Sequence, residues 1–262
     1  MISPDNRRYA YGKAQLIEVI CQLRFPTILS IDTREPADFQ ETVREAFPRY
    51  QCQVETIPGV NGAPNRTINN HTFLSEDGGY KLSLTKDFIA LSTMRYTNWE
   101  DFAARLDEPL GQFIKIYRPN CFDRVGLRFV NAFSREQLGL AGRRWNDLLQ
   151  PPYLGVLDED EIDEESVVKC SVDVERKLGA LAALKLHAGP GFVQRNIRNG
   201  NRVQQVQEKE VRFIFDQDVY STTKVKVPAV AETLNALHAY SDSVFSDAIT
   251  TVLHDAMEPE YL

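Results

Sequence analysis

EVICQLRFP occupies residues 18–26, and RVGLRFVNAF occupies residues 124–133, about a hundred positions later. Each stretch carries Leu-Arg-Phe inside a run of β-branched and apolar residues, the composition of a buried central strand. Each is followed by a segment of helical spacing and then by further strand-like runs. Self-similarity at a fixed offset is how an internal repeat shows itself in a sequence. The two stretches therefore predict an α+β protein built from two units, residues 1–119 and 120–262. Each unit reads strand, helix, several antiparallel strands and a long helix. Side by side, the units form one broad curved sheet with helices on one face, as a single compact domain.

In the first unit, residues 16–25 read as the opening strand. Residues 37–47 follow a helical period, with Phe39, Val43 and Phe47 repeating at four and Pro48 ending the run. Strands are expected over 51–57, 67–75, 80–85 and 88–95. They are separated by the Gly/Pro/Asn stretch 58–64, the Asp77-Gly78-Gly79 turn and the Lys86-Asp87 turn. Thr97 or Asn98 caps a helix running to about Tyr117, whose inner face is Phe102, Leu106, Leu110, Phe113 and Tyr117.

The second unit opens with a strand over 125–133 and helical patterns over 134–149, ended by Pro151-Pro152. Strands over 167–176 and 180–189 flank a turn at Lys177-Leu178-Gly179. Asn199-Gly200 signals a hairpin inside 192–207. Strands over 210–216 and 219–225 surround a turn at Gln217-Asp218, and Pro228 starts a helix to about Ala256.

The 262 residues are 43% hydrophobic and 26% charged, which excludes a disordered or fibrous protein and allows a full core. A formal charge of −7 argues against nucleic-acid binding by the whole surface, though a local basic stripe is compatible with it. The polar residues 1–13 lack the apolar core of a secretory peptide, and no run reaches the roughly 18 apolar residues of a spanning helix. Cys21, Cys52, Cys121 and Cys170 are widely spaced with no C-x-x-C pair. The expectation is a reduced, cytoplasmic protein with no membrane association.

The strings EVICQLRFP, TKDFIALSTMRYTNWEDF and FDRVGLRFVN resemble signatures of a sporadically distributed, uncharacterised family of bacterial and archaeal proteins of about this length. Its members share an early E-V-x-x-Q-x-R-F strand and, near the middle of the sequence, the motif G-L-R-[FY]-x-N. The resemblance covers the first half and the start of the second, and it brings no catalytic residues with it. The element order is also like that of TATA-binding-protein-type duplicated folds, an analogy of architecture alone.

Arg24 and Arg128 fall at corresponding points of the two units. Two guanidiniums on one sheet face would bind phosphate or carboxylate by paired hydrogen bonds. The competing reading is that each pairs with a nearby carboxylate, with Glu18, Asp123 and Asp173 as candidates. Simple alternation puts Asn131 on the other face from Arg128. Arg195, Arg198 and Arg202 surround a turn and form a basic hairpin tip suited to a phosphate backbone. The acidic run 158–165 lacks the spacing of a calcium loop and reads as a solvated linker, of opposite sign to the basic hairpin.

His71, His187, His238 and His254 show no metal-ligand spacing, and no nucleophile elbow, Walker loop or dinucleotide fingerprint occurs. Asp173 and Glu175 read as lone carboxylates on opposite faces. No cofactor and no metal are therefore expected. The leading functional reading is a non-enzymatic binding or regulatory subunit with a protein partner, an accessory to a toxin or phage-defence module. The alternative is a nucleotide- or nucleic-acid-binding protein that uses the five arginines.

Overall fold

The computed structural model describes residues 9–57, 66–199 and 202–261. In sequence order its elements begin with β1 (Tyr9–Tyr11), β2 (Leu16–Arg24), the short helices α1 (Leu29–Thr33) and α2 (Ala37–Val43), and β3 (Arg49–Ile57). β4 (Arg66–Leu74), β5 (Tyr80–Leu84), β6 (Phe88–Thr93) and the long helix α3 (Trp99–Tyr117) complete the first half. The second half holds β7 (Cys121–Phe122), β8 (Arg124–Phe133), β9 (Val172–Lys177), β10 (Ala182–Gly191), β11 (Gln194–Asn199) and β12 (Arg202–Gln207). It ends with β13 (Arg212–Ser221), β14 (Val225–Lys226), α4 (Val230–Ala248), α5 (Thr251–Ala256) and β15 (Pro259–Tyr261).

The fold is mixed α+β around one antiparallel sheet of nine strands in the order β3-β4-β5-β6-β2-β8-β13-β10-β9. β2 and β8, the two Leu-Arg-Phe strands, are neighbours at its middle, with Gln22 opposite Gly126 and Cys21 opposite Leu127. Because strand side chains alternate, Leu23 and Leu127 point to one face and Arg24 and Arg128 to the other. Both leucines are fully buried, and both arginines are exposed.

The buried face is covered by helices, and aromatic rings knit the two layers. Phe39 of α2 meets Phe73 of β4 at 5.6 Å, and Phe113 of α3 meets Phe25 at 4.7 Å. Phe245 of α4 reaches Phe133 of β8 and Phe215 of β13 at 6.2 and 6.5 Å. Such contacts combine large apolar burial with favoured ring geometry. α3 begins where the Asn98 side chain accepts the Asp101 N–H at 2.8 Å. It ends where Arg118 turns into the left-handed region and returns its N–H to the Ile114 carbonyl. No helix among the described residues is long and apolar enough to cross a membrane.

Several expectations are corrected. The expected turn at Gln217-Asp218 does not exist, since β13 runs unbroken through it between β10 and β8. The stretch 134–149 is no regular helix: turns lead into a single 3-10 turn over Trp145–Asp147. Further 3-10 turns carry part of the acidic run, and the run is anchored rather than simply solvated. Glu164 accepts the Trp145 N–H and holds Arg135 at 2.9 Å, while Asp160 meets Arg144 at 3.3 Å.

The last helix is two helices. Ile249 leaves the helical path to bridge Leu149, and the Thr250 side chain caps α5. The first and last strands also join: β1 pairs with β15, Tyr9 opposite Tyr261, a contact that local periodicity does not predict.

Candidate functional site

Four adjacent strands send charged and polar side chains to the uncovered face at alternate positions. β8 contributes Arg124 and Arg128, β13 Asp216, Asp218 and Tyr220, β10 Lys185 and His187, and β9 Asp173 and Glu175. The register makes these an ordered array. Arg128 lies opposite Asp218, Asp218 opposite Lys185, and Lys185 opposite Glu175, so the sign alternates across the sheet. One row along, Asp216 lies opposite His187, which lies opposite Asp173. Opposite charges facing across strands stabilise pairing and fix the register.

The contacts are close. Arg128 donates from Nε to Asp216 Oδ1 at 2.8 Å and from Nη2 to Asp216 Oδ2 at 2.5 Å, a two-pronged geometry that only a guanidinium can supply. The carboxylate beside it raises the Arg128 pKa, against an opposing effect of partial burial. Arg124 Nη2 reaches Asp218 Oδ2 at 2.6 Å, and its guanidinium lies 4.4 Å over the Tyr220 ring.

Arg124 can lie flat because the next residue on its face is Gly126, where a Cβ would sit 2.3 Å from Arg124 Nη1. Tyr220 donates to Glu175 at 2.6 Å, a bond that raises the phenol's pKa. His187 Nδ1 and Asp173 Oδ1 are 2.8 Å apart, and that bond holds the Asp173 carboxyl below its usual range. Arg128, Asp216, Asp218, Lys185, Glu175, His187 and Asp173 line a shallow open depression of 420 Å³.

The predicted arginines are placed differently from one another. Arg24 and Arg128 do share the uncovered face, but the cross-strand neighbour of Arg24 is Arg124. Arg128 lies four residues further along β8, roughly 13 Å away at the rise of a strand, so the pair does not converge on one anion. Arg24 donates to Gln22 at 2.8 Å rather than to a carboxylate. The partner of Arg128 is Asp216, not Glu18, Asp123 or Asp173, and Asp123 instead holds Lys224 at 3.1 Å.

Arg195, Arg198 and Arg202 belong to the two-stranded β11–β12 ladder, which is separate from the main sheet. Their side chains lie outside the described residues. Asn199 pairs with Arg202 across that ladder, and the expected Asn199-Gly200 turn falls on Gly200, outside the described residues.

Asn131 points to the covered face, as alternation requires, whereas Asp173 and Glu175 share the uncovered face because they are two apart in a strand. Among the described residues, no three His, Cys, Asp or Glu side chains are grouped to hold a metal ion, and the four cysteines are unpaired.

Sequence reasoning missed Asp216, Asp218, Lys185 and His187. The signal was present as D-x-D-x-Y, K-x-H and D-x-E, each a period of two. It was hidden by reading Gln217-Asp218 as a turn. No family model matches the chain, and no curated protein matches it in sequence.

Proposed function

We propose that the protein is a non-enzymatic binding or regulatory subunit that docks a partner protein on the uncovered face of β8, β13, β10 and β9. The observation that carries this reading is the pairing itself. Arg124, Arg128 and Lys185 each sit against a carboxylate of the same face. A phosphate backbone gains affinity from uncompensated cations that release counterions, and here it would meet Asp216, Asp218, Asp173 and Glu175. A protein surface of complementary alternating sign can engage both sets of charges, which favours register and selectivity over raw affinity. The same reading treats the halves as duplicated units. It is supported by the matched burial of Leu23 and Leu127 and by helix-covered strands on both sides of the β2–β8 pair. A toxin or phage-defence protein is the kind of partner suggested by the sporadic distribution of the resembled family.

The test is co-expression with the products of the neighbouring genes, followed by size-exclusion chromatography. A stable complex that is lost on Asp218→Lys supports the reading. A protein that elutes alone with every neighbour contradicts it. The nucleic-acid alternative uses Arg24, Arg128 and the basic hairpin of Arg195, Arg198 and Arg202. It requires binding to RNA or DNA that weakens steeply with salt and weakens again in Arg198→Ala.

A further inference from the structure

The face of the sheet opposite the charged array holds a second feature, a cavity of 520 Å³ under the N-terminal segment. Its floor is the covered side of β8 and β13, where Asn131 and Gln217 stand among apolar neighbours. Its walls are the start of α3, the polar stripe of α4 and residues 9–16. The last of these is strapped down by the β1–β15 ladder and by the bond from Gly12 N–H to the Glu258 carbonyl. Gln15 completes the strap from inside, accepting the Ser134 N–H at 3.0 Å. This size suits a ligand of small-molecule dimensions, and apolar walls with a few convergent polar groups are what such sites present.

The floor is unusual for a core. Gln217 is 2% exposed and Asn131 3% exposed, yet Gln217 Oε1 has no hydrogen-bond partner among the described residues. A buried amide oxygen left unpaired costs stability, so the one on this cavity floor calls for a reason beyond packing. Of the charged groups at the rim, Lys13 is held by Glu258 at 2.7 Å, and Asp242 stands 3.5 Å from the His238 ring in the same wall. The wall beside the floor is aromatic, with Trp99 stacked on His238 at 4.5 Å and 17°.

We propose that this cavity binds a small, uncharged, planar molecule whose edge carries a hydrogen-bond donor beside an acceptor, as in a nucleobase or an aromatic carboxamide. Neutrality follows from a floor made of uncharged amides, with Lys13 held by Glu258 and Asp242 beside His238. Planarity follows from the aromatic wall. The donor–acceptor edge follows from the carboxamides of Gln217 and Asn131, the groups that read such edges in pairs. The site lies on the other side of the sheet from the partner-docking face and does not depend on it.

Isothermal titration of the full-length protein with adenine, uracil and nicotinamide tests the assignment. At least one probe is expected to bind at millimolar or lower concentration. Gln217→Leu, which keeps the volume and removes the amide, should weaken that probe at least tenfold while the thermal midpoint stays equal or rises. Ser246→Trp, at an exposed position on the α4 side of the cavity, should block binding without touching the floor. Absence of heat with all three probes overturns the proposal. So does binding that survives in both variants.

Discussion

The two halves of the sheet are alike on their covered side and different on the other. Under the helices both halves are packed with fully buried Leu, Val and Phe, and Leu23 and Leu127 occupy matching places on neighbouring strands. On the other side the first half carries buried Thr72, Ser83 and Ala90 in register, Thr72 opposite Ser83, Ser83 opposite Ala90, and Ala90 opposite Gln22. The second half presents the array of Arg124, Arg128, Asp216, Asp218, Lys185, His187, Asp173 and Glu175. Core packing constrains one face of both halves, whereas the residues on the other face differ between them. The proposed docking face rests on this difference.

The largest effects should ignore this difference. Leu23→Ala and Leu127→Ala each remove a fully buried side chain at the centre of the sheet, and each should cost about 3 kcal/mol. Urea unfolding should show one transition shifted by similar amounts. Two separated transitions would break the picture of a single sheet.

Uncovered-face substitutions should then separate the halves. Asp216→Ala leaves Arg128 without its fork and should cost about 1 kcal/mol, a modest figure because the Arg128 side chain is 45% exposed. Arg24→Ala breaks only the bond to Gln22 and should leave the midpoint unchanged. Gly126→Ala is smaller again. A Cβ there pushes Arg124 off the Tyr220 ring, losing roughly 0.5 kcal/mol of cation–π contact. It should appear chiefly as a change in Tyr220 side-chain NMR shifts.

The smallest effect is the acid limb. Lys86 bonds the Asp32 carboxyl and lowers its pKa, so this pair contributes stability above the ordinary carboxylate pKa and loses it as pH falls through the depressed value. Asp173 is lowered as well, but its side chain is 67% exposed against 23% for Asp32. Asp32→Asn should therefore flatten stability below about pH 4 more than Asp173→Asn does, as read from acid titration by circular dichroism.

What could be read from the sequence follows from how local each signal is. The Leu-Arg-Phe strands and α3, with its Asn98 cap and its Phe102–Leu106–Leu110–Phe113 stripe, rest on period and capping alone, and both formed as expected. β13 was misread because Gln217 and Asp218 look like a polar turn until each is given a tertiary setting. Gln217 forms part of the cavity floor, and Asp218 meets Arg124 across the ladder.

The stretch 134–149 carries helical spacing but is held in turns by distant groups, Glu164 on the Trp145 N–H and Glu210 on the Ser134 hydroxyl. The β1–β15 pairing joins residues about 250 positions apart, beyond any local pattern. The arginine pairing failed for a similar reason. Face was legible from alternation, but the register that sets Arg24 against Arg124, and Arg128 four residues away, was not.

The decisive measurement inverts one ion pair. Arg128→Asp combined with Asp216→Arg keeps the internal pair while reversing the pattern of charge shown to a partner. The account predicts a thermal midpoint close to that of the unaltered protein, together with at least tenfold weaker capture of the co-expressed partner. Capture at full strength by the inverted variant would contradict it.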